Sequence, residues 1–161
     1  MTELLETCAS LPEIFVEAGG SIIEQGFAQG ALFVLVSGAV IMERDGQLLV
    51  GIDRPGAIFG ELSSLLGRPA VTTVRAKTDS RFLFAADGGG FLADRPDVAL
   101  FVARALAHRL EILTGYLSDV KHQFSDRGGQ LGMLDEVMIS LAHGTVPTVR
   151  PGSERMPETE Y

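Results

Sequence analysis

The residues best suited to chemistry lie in one stretch, Gly56-Ala57-Ile58-Phe59-Gly60-Glu61-Leu62-Ser63-Ser64-Leu65-Leu66-Gly67-Arg68-Pro69-Ala70-Val71-Thr72-Thr73-Val74-Arg75-Ala76. Glu61–Leu66 has no β-branched residue and follows a glycine, which predicts a short helix starting at Gly60-Glu61. The first turn of a helix carries unpaired backbone N–H groups and the positive end of the macrodipole, so it suits an anion. Glycine at position 60 lets a ligand approach the backbone closely. An ionised Glu61 beside it accepts strong hydrogen bonds, as a sugar hydroxyl would donate. This is the chemistry of binding.

Bond-making chemistry finds less support. Ser63 and Ser64 have no histidine nearby in sequence and read as helix-surface or packing serines. His108, His122 and His143 all follow Pro96, outside the strand-rich region, which argues against a metal centre inside a barrel. The single cysteine, Cys8, permits no intramolecular disulfide and no four-cysteine metal site. Its expected role is a packed or free thiol in a reducing cytoplasm.

Short apolar runs separated by turn signals must position the Gly56–Ala76 stretch. The runs are Glu13–Glu17, Ser21–Glu24, Leu32–Val36, Ala39–Glu43, Gln47–Ile52, Val71–Ala76 and Ser80–Ala85, with glycines or prolines between them. Asp45-Gly46 predicts a two-residue hairpin, because a type I′ turn needs positive φ at both central positions. Many short strands at this spacing predict a small all-β barrel, sandwich or jelly roll.

From Pro96 the periodicity becomes helical. Leu106, Leu110, Leu113, Leu117, Val120 and Phe124 form a heptad stripe that predicts a homodimer seam. Val98, Phe101, Val102, Ala105, Ile112 and Tyr116 make a neighbouring apolar face, suited to covering the strands. Asp126-Arg127-Gly128-Gly129 ends that helix, and Gln130–Ala142 predicts a second one. Its apolar side predicts a contact with the strands or with a protein partner through residues 130–142. Thr145–Tyr161, with Pro147, Pro151 and Pro157, reads as a loosely held tail. A short helical turn or two is expected within residues 1–10.

The chain has 161 residues and a formal charge of −8, so its bulk surface repels nucleic acid and anionic membranes. No run of about 18 apolar residues occurs, and the acidic start lacks the basic region of a signal peptide.

The Gly56–Ala76 stretch resembles the phosphate-binding cassette of cyclic-nucleotide-binding domains, the effector-domain family of catabolite activator proteins. That family's pattern runs Phe-Gly-Glu-Leu, a short helix, then Pro-Arg-small-small-Thr-Val. Gly20-Ser21-Ile22-Ile23-Glu24-Gln25-Gly26 and Leu32-Phe33-Val34-Leu35-Val36-Ser37-Gly38-Ala39-Val40 extend the match upstream. It continues into the helix after Pro96 and covers roughly residues 11–124.

The resemblance implies a mainly β fold: a jelly-roll-like β-roll of about eight strands with flanking helices and a long C-terminal helix. It divides the chain into a domain at residues 1–124 and a helical or loosely held tail at 125–161. It also implies a non-enzymatic sensor without a cofactor, its ligand a cyclic nucleotide such as cyclic AMP or cyclic GMP. Glu61 matches the glutamate that binds the ribose 2′-hydroxyl. The backbone of Gly60 and Leu62 lines the sugar-phosphate, and Val71 offers its amide to the phosphate, with Thr72 following in the loop. Val50 on its strand and Thr114 on the long helix fall near the base. The relatives that bind DNA add a helix-turn-helix module. Only about 37 residues follow Phe124, and they are not basic, so direct DNA binding is not expected.

One departure stands out. The family arginine that pairs with the cyclic phosphate aligns with Ala70, and Val71 lacks a hydroxyl. Three readings stay open. Arg68, two residues earlier, swings into the pocket, against its bland role as a solvated loop arginine. Alternatively the pocket holds another ligand, such as a cyclic dinucleotide or a less charged molecule. In the third reading the pocket is vestigial and the domain is a protein-interaction module. Arg75 is expected on the surface.

Overall fold

The computed structural model describes residues 2–123 and 137–141. Its elements run α1 (Thr2–Thr7), β1 (Glu13–Val16), β2 (Ser21–Ile23), β3 (Leu32–Ser37), β4 (Val40–Arg44), β5 (Gln47–Ile52), β6 (Ile58–Phe59), α2 (Glu61–Leu66), β7 (Thr73–Ala76), β8 (Ser80–Ala85), α3 (Gly88–Asp94) and α4 (Pro96–Gln123). The strands form two four-stranded antiparallel sheets, ordered β1-β8-β3-β6 and β2-β7-β4-β5. Together they make the expected jelly-roll-like β-roll.

Alternation along the strands fills the space between the sheets. Phe33, Leu35, Phe59 and Phe82 from the first sheet and Ile23, Val40 and Val74 from the second form one buried cluster. Phe33 packs edge-to-face on Phe82 with ring centroids 6.3 Å apart, and against Phe84 at 5.1 Å. Such pairs add to the area term because ring edges meet ring faces. Strand β3 is buried on both faces from Leu32 to Leu35, which is why its sequence reads as an unbroken apolar run rather than an alternation. Its outward residues Leu32 and Val34 pair in register with Ala85 and Leu83 of β8, and all four are buried. Leu4 of α1, Cys8 just after it, Leu92 of α3, and Val98 and Val102 of α4 are further buried apolar side chains of the same unit.

The Asp45-Gly46 turn forms as predicted, with φ of 51° and 75°. A register shift opposite Met42/Glu43 leaves Leu49 as an extra residue on β5, the edge strand of its sheet. Strand β6 escaped the pattern because it spans two residues; it is specified by pairing with Phe33 and Val34 rather than by its own periodicity.

Helix α3 is the larger surprise, since Gly88-Gly89-Gly90 opens it and glycine is the weakest ordinary helix former. Tertiary packing outweighs propensity there. The Gly88 amide donates to the Gly30 carbonyl at 2.8 Å, and a Cβ on Gly88 would run into Ser64 Oγ and the Gly30 carbonyl. The Asp87 carboxylate caps the first turn, accepting from the Gly90 amide at 2.9 Å.

The chain divides into two compact units, one ending at Arg104 and the next beginning at Ala105. Helix α4 runs unbroken for 28 residues through that boundary. Between Ala105 and Gln123 no side chain is buried; Leu110 is 43% and Leu113 46% exposed, while Leu106, Leu117 and Val120 are half-buried. Phe124, the last residue of the predicted seam, lies outside the described residues, as does most of the 130–142 segment; residues 137–141 are helical.

Candidate functional site in the cassette between β6 and β7

Gly60 caps α2 with φ 86°, a conformation that non-glycine residues rarely adopt, and a Cβ there would strike the Ala31 carbonyl oxygen. The following Glu61 is buried, at 6% exposure, although it is a carboxylate in the first turn of a six-residue helix. Helix α2 then turns outward: Leu62, Leu65 and Leu66 are all exposed, and Gly67 ends it in the left-handed conformation. Ser64 is a packing residue, its hydroxyl donating to the Gly30 carbonyl at 2.9 Å.

Past the helix, Ala70 is buried and fully engaged through its backbone. Its amide donates to the Phe27 carbonyl at 3.0 Å, and its carbonyl accepts from the Gly26 amide at 2.8 Å. The next residue, Val71, is 53% exposed, and Thr72 is half-buried. Burial therefore changes sharply within one peptide: position 70 faces inward while position 71 meets solvent.

Val50 pairs in register with Met42, and so shares the inward face of the second sheet with Met42, Val40, Ile52 and Val74. Those neighbours are buried or packed on the core, yet Val50 is 47% exposed. The inward face is thus open at β5.

Arg68 is exposed, with no hydrogen bond or ion pair to any described residue. Arg75 is on the surface as expected, its guanidinium donating to the Gly19 carbonyl at 3.0 Å and lying 3.9 Å from Glu43. Thr114 falls in the second unit and donates to the Leu110 carbonyl at 2.8 Å, an ordinary back-bond along its own helix. Cys8 is buried, and that burial pushes its thiol up, away from nucleophilic use.

Residues that position the cassette were not visible in the sequence. Gln25 and Asp45 hold each other by two reciprocal bonds: the Gln25 amide group donates to the Asp45 carboxylate at 2.7 Å, and the Asp45 backbone amide donates to Gln25 Oε1 at 2.9 Å. The Gln25 backbone amide donates to Thr73 Oγ1 at 3.1 Å. These bonds tie the β2–β3 loop to the β4–β5 hairpin and to β7, and the same loop carries the two backbone bonds to Ala70. Asp45 had a visible turn signal; its second role depends on a partner twenty positions away. A shallow depression of about 200 Å³ lies on that loop, lined by Ser21, Ile22, Glu24, Phe27, Ala28 and Gln29.

Residues 13–87 match the cyclic nucleotide-binding domain family. The chain is also 30% identical to the N-terminal domain of a transcriptional regulator from Streptomyces coelicolor, over 70% of this chain and 86% of that one, with a TM-score of 0.51. The chain belongs to the cyclic nucleotide-binding domain family. A domain solved from a cyclic-GMP-dependent signalling pathway that regulates bacterial phytopathogenesis is 26% identical, with a TM-score of 0.58, over 69% of this chain and 94% of that one. The catabolite activator protein of Thermus thermophilus shares the fold at 23% identity and a TM-score of 0.63, over 91% of this chain and 78% of that one. A curated relative, the lysophospholipase NTE1 of Eremothecium gossypii, is 33% identical over 79 residues, which are 46% of this chain and only 5% of that protein. Among the described residues of this cyclic nucleotide-binding domain, no helix is long and apolar enough to cross a membrane.

Proposed function

We propose that this chain is a non-enzymatic, cytoplasmic sensor that binds a sugar-bearing purine ligand of the cyclic-nucleotide type between α2, β7 and β5. The observation that carries the reading is the buried carboxylate of Glu61 directly after the left-handed Gly60, inside a matched cyclic nucleotide-binding domain. A carboxylate at this position is what the family uses to accept from a ligand hydroxyl, and an ionised one accepts strongly. In this reading Gly60 and Leu62 border the sugar, Val71 and Thr72 border its substituent, and Val50 takes the base.

Output runs along α4. Ligand binding shifts the first turns of α4, the helix that covers Pro96–Gln123. The Leu106, Leu110, Leu113, Leu117 and Val120 stripe then meets a second copy of the chain. Leu113→Glu is expected to turn a dimer into a monomer in sedimentation velocity while leaving the melting of the β-roll unchanged. A wild-type chain that sediments as a monomer at high concentration removes the seam.

Calorimetry with cyclic AMP and cyclic GMP tests the pocket. Binding is expected to be weak, in about the high-micromolar range, because the arginine position holds Ala70. Glu61→Ala is expected to weaken it by roughly tenfold or more, the loss of a charge-assisted hydrogen bond. Absence of any heat at millimolar nucleotide supports the second reading, an interaction module that keeps the fold alone. Ala70 and the exposed Leu48, Leu49 and Val50 on the β5 edge favour that alternative.

A further inference from the structure

An acid and an aromatic ring stand together on the loop between β2 and β3, where Glu24 and Phe27 line the same depression. We infer that this depression receives the side chain of an arginine carried by a protein partner. The site does not depend on what the cassette holds.

Residues 24–27 form a turn. The Phe27 amide donates to the Glu24 carbonyl at 3.2 Å, and Gly26 stands third with φ 85°, as a type II turn requires. Such a turn brings its first and last Cα atoms within about 7 Å, so the acid and the ring become neighbours. The turn is held at three residues: Gln25 bonds to Thr73 and Asp45, and Gly26 and Phe27 bond to Ala70. Its backbone is therefore fixed before a partner arrives, and binding has little left to order.

The two side chains are idle within the chain. Phe27 is 64% exposed and Glu24 is exposed, and neither side chain has a hydrogen bond, ion pair or ring contact with any described residue. Arg75, the cross-strand neighbour of Ser21, is directed instead to the Gly19 carbonyl and Glu43. The cavity has a volume of about 200 Å³. Pockets for whole small ligands begin at roughly 300 Å³, so this one suits a single side chain. A guanidinium matches its walls. It is flat enough to stack on the phenyl ring, and its donors suit the Glu24 carboxylate and the oxygens of Ser21 and Gln29. Charge points to the same partner. Residues 1–43 hold six glutamates and no lysine, arginine or histidine, and the whole chain carries −8, so a basic protein surface is drawn here.

The test is NMR of the isotope-labelled full chain titrated with the capped peptide acetyl-Gly-Arg-Gly-amide, and with the same peptide carrying lysine or citrulline. Arginine is expected to shift the amides of residues 21–29 with a Kd in about the millimolar range, lysine to bind about threefold more weakly, and citrulline, which keeps the shape without the charge, to shift none. Glu24→Gln and Phe27→Ala, both at exposed positions, are each expected to weaken the arginine peptide by about threefold or more while the remaining spectrum stays that of the folded chain. No shift at residues 21–29 with roughly 10 mM peptide overturns the site. Lysine binding as tightly as arginine, with Phe27→Ala without effect, reduces it to general charge attraction and overturns the arginine assignment. Free arginine binding as tightly as the capped peptide makes it a small-molecule site and overturns the protein partner.

Discussion

Ala70→Arg is expected to raise the affinity for cyclic AMP or cyclic GMP by about two orders of magnitude, roughly the worth of one charge-assisted, bidentate contact in a partly desolvated site. The backbone at this position is already fixed. Ala70 is held through its amide and carbonyl to the 26–27 turn, so a guanidinium placed there loses only side-chain freedom. The gain should shrink as salt is raised, since an ionic contact near the surface is screened over about 8 Å at physiological ionic strength. Adenosine and guanosine, which carry no phosphate, should gain far less. Titration of wild type and variant at two salt concentrations reads all of this. Equal gains for nucleoside and cyclic nucleotide, or none for either, would show that position 70 does not face a ligand phosphate.

The largest effect on the fold is expected from Phe82→Ala. Phe82 is fully buried, stands edge-on to Phe33, and lies on β8, the strand that pairs with both β1 and β3. Truncating a buried phenyl ring loses its transfer free energy and leaves a cavity that two hydrogen-bonded sheets cannot close, a cost of about 3–5 kcal/mol. A domain of this size has a total stability on the order of 5–15 kcal/mol, so the variant should be destabilised by a large fraction of it. Urea unfolding followed by circular dichroism measures the shift in midpoint. A change below about 1 kcal/mol would mean that the roll interior repacks freely, contrary to the close packing of protein cores. The two variants report on separate properties: Phe82→Ala acts on whether the roll forms, Ala70→Arg on what it holds once formed.

Much of this organisation was legible from residue order. Strands β1 to β5, β7 and β8 each carry their own evidence, an apolar run bounded by glycine, proline or a polar turn, and the Asp45-Gly46 hairpin carries the positive φ that its turn requires. Helix α2 was legible because Gly60 and Gly67 bracket six residues without β-branching. The heptad in α4 was legible because its spacing repeats over nearly three turns of the pattern. All of these are local: the information that specifies each element lies within the element and its immediate flanks.

What local order could not specify is whatever depends on a partner distant in sequence. Strand β6 exists only through its pairing with β3, and α3 tolerates three glycines because close approach to Gly30 and Ser64 demands them. Position 61 was marked by its residue type, but its burial arises from how the roll closes around it. The Gln25–Asp45 clamp and the paired backbone bonds at Ala70 join segments that the chain separates by twenty and by more than forty residues. Amino-acid order determined which segments are strands, because secondary structure and turn chemistry are local. Tertiary packing decided that the cassette's acid is buried, because burial is a property of the whole fold and no residue carries it alone.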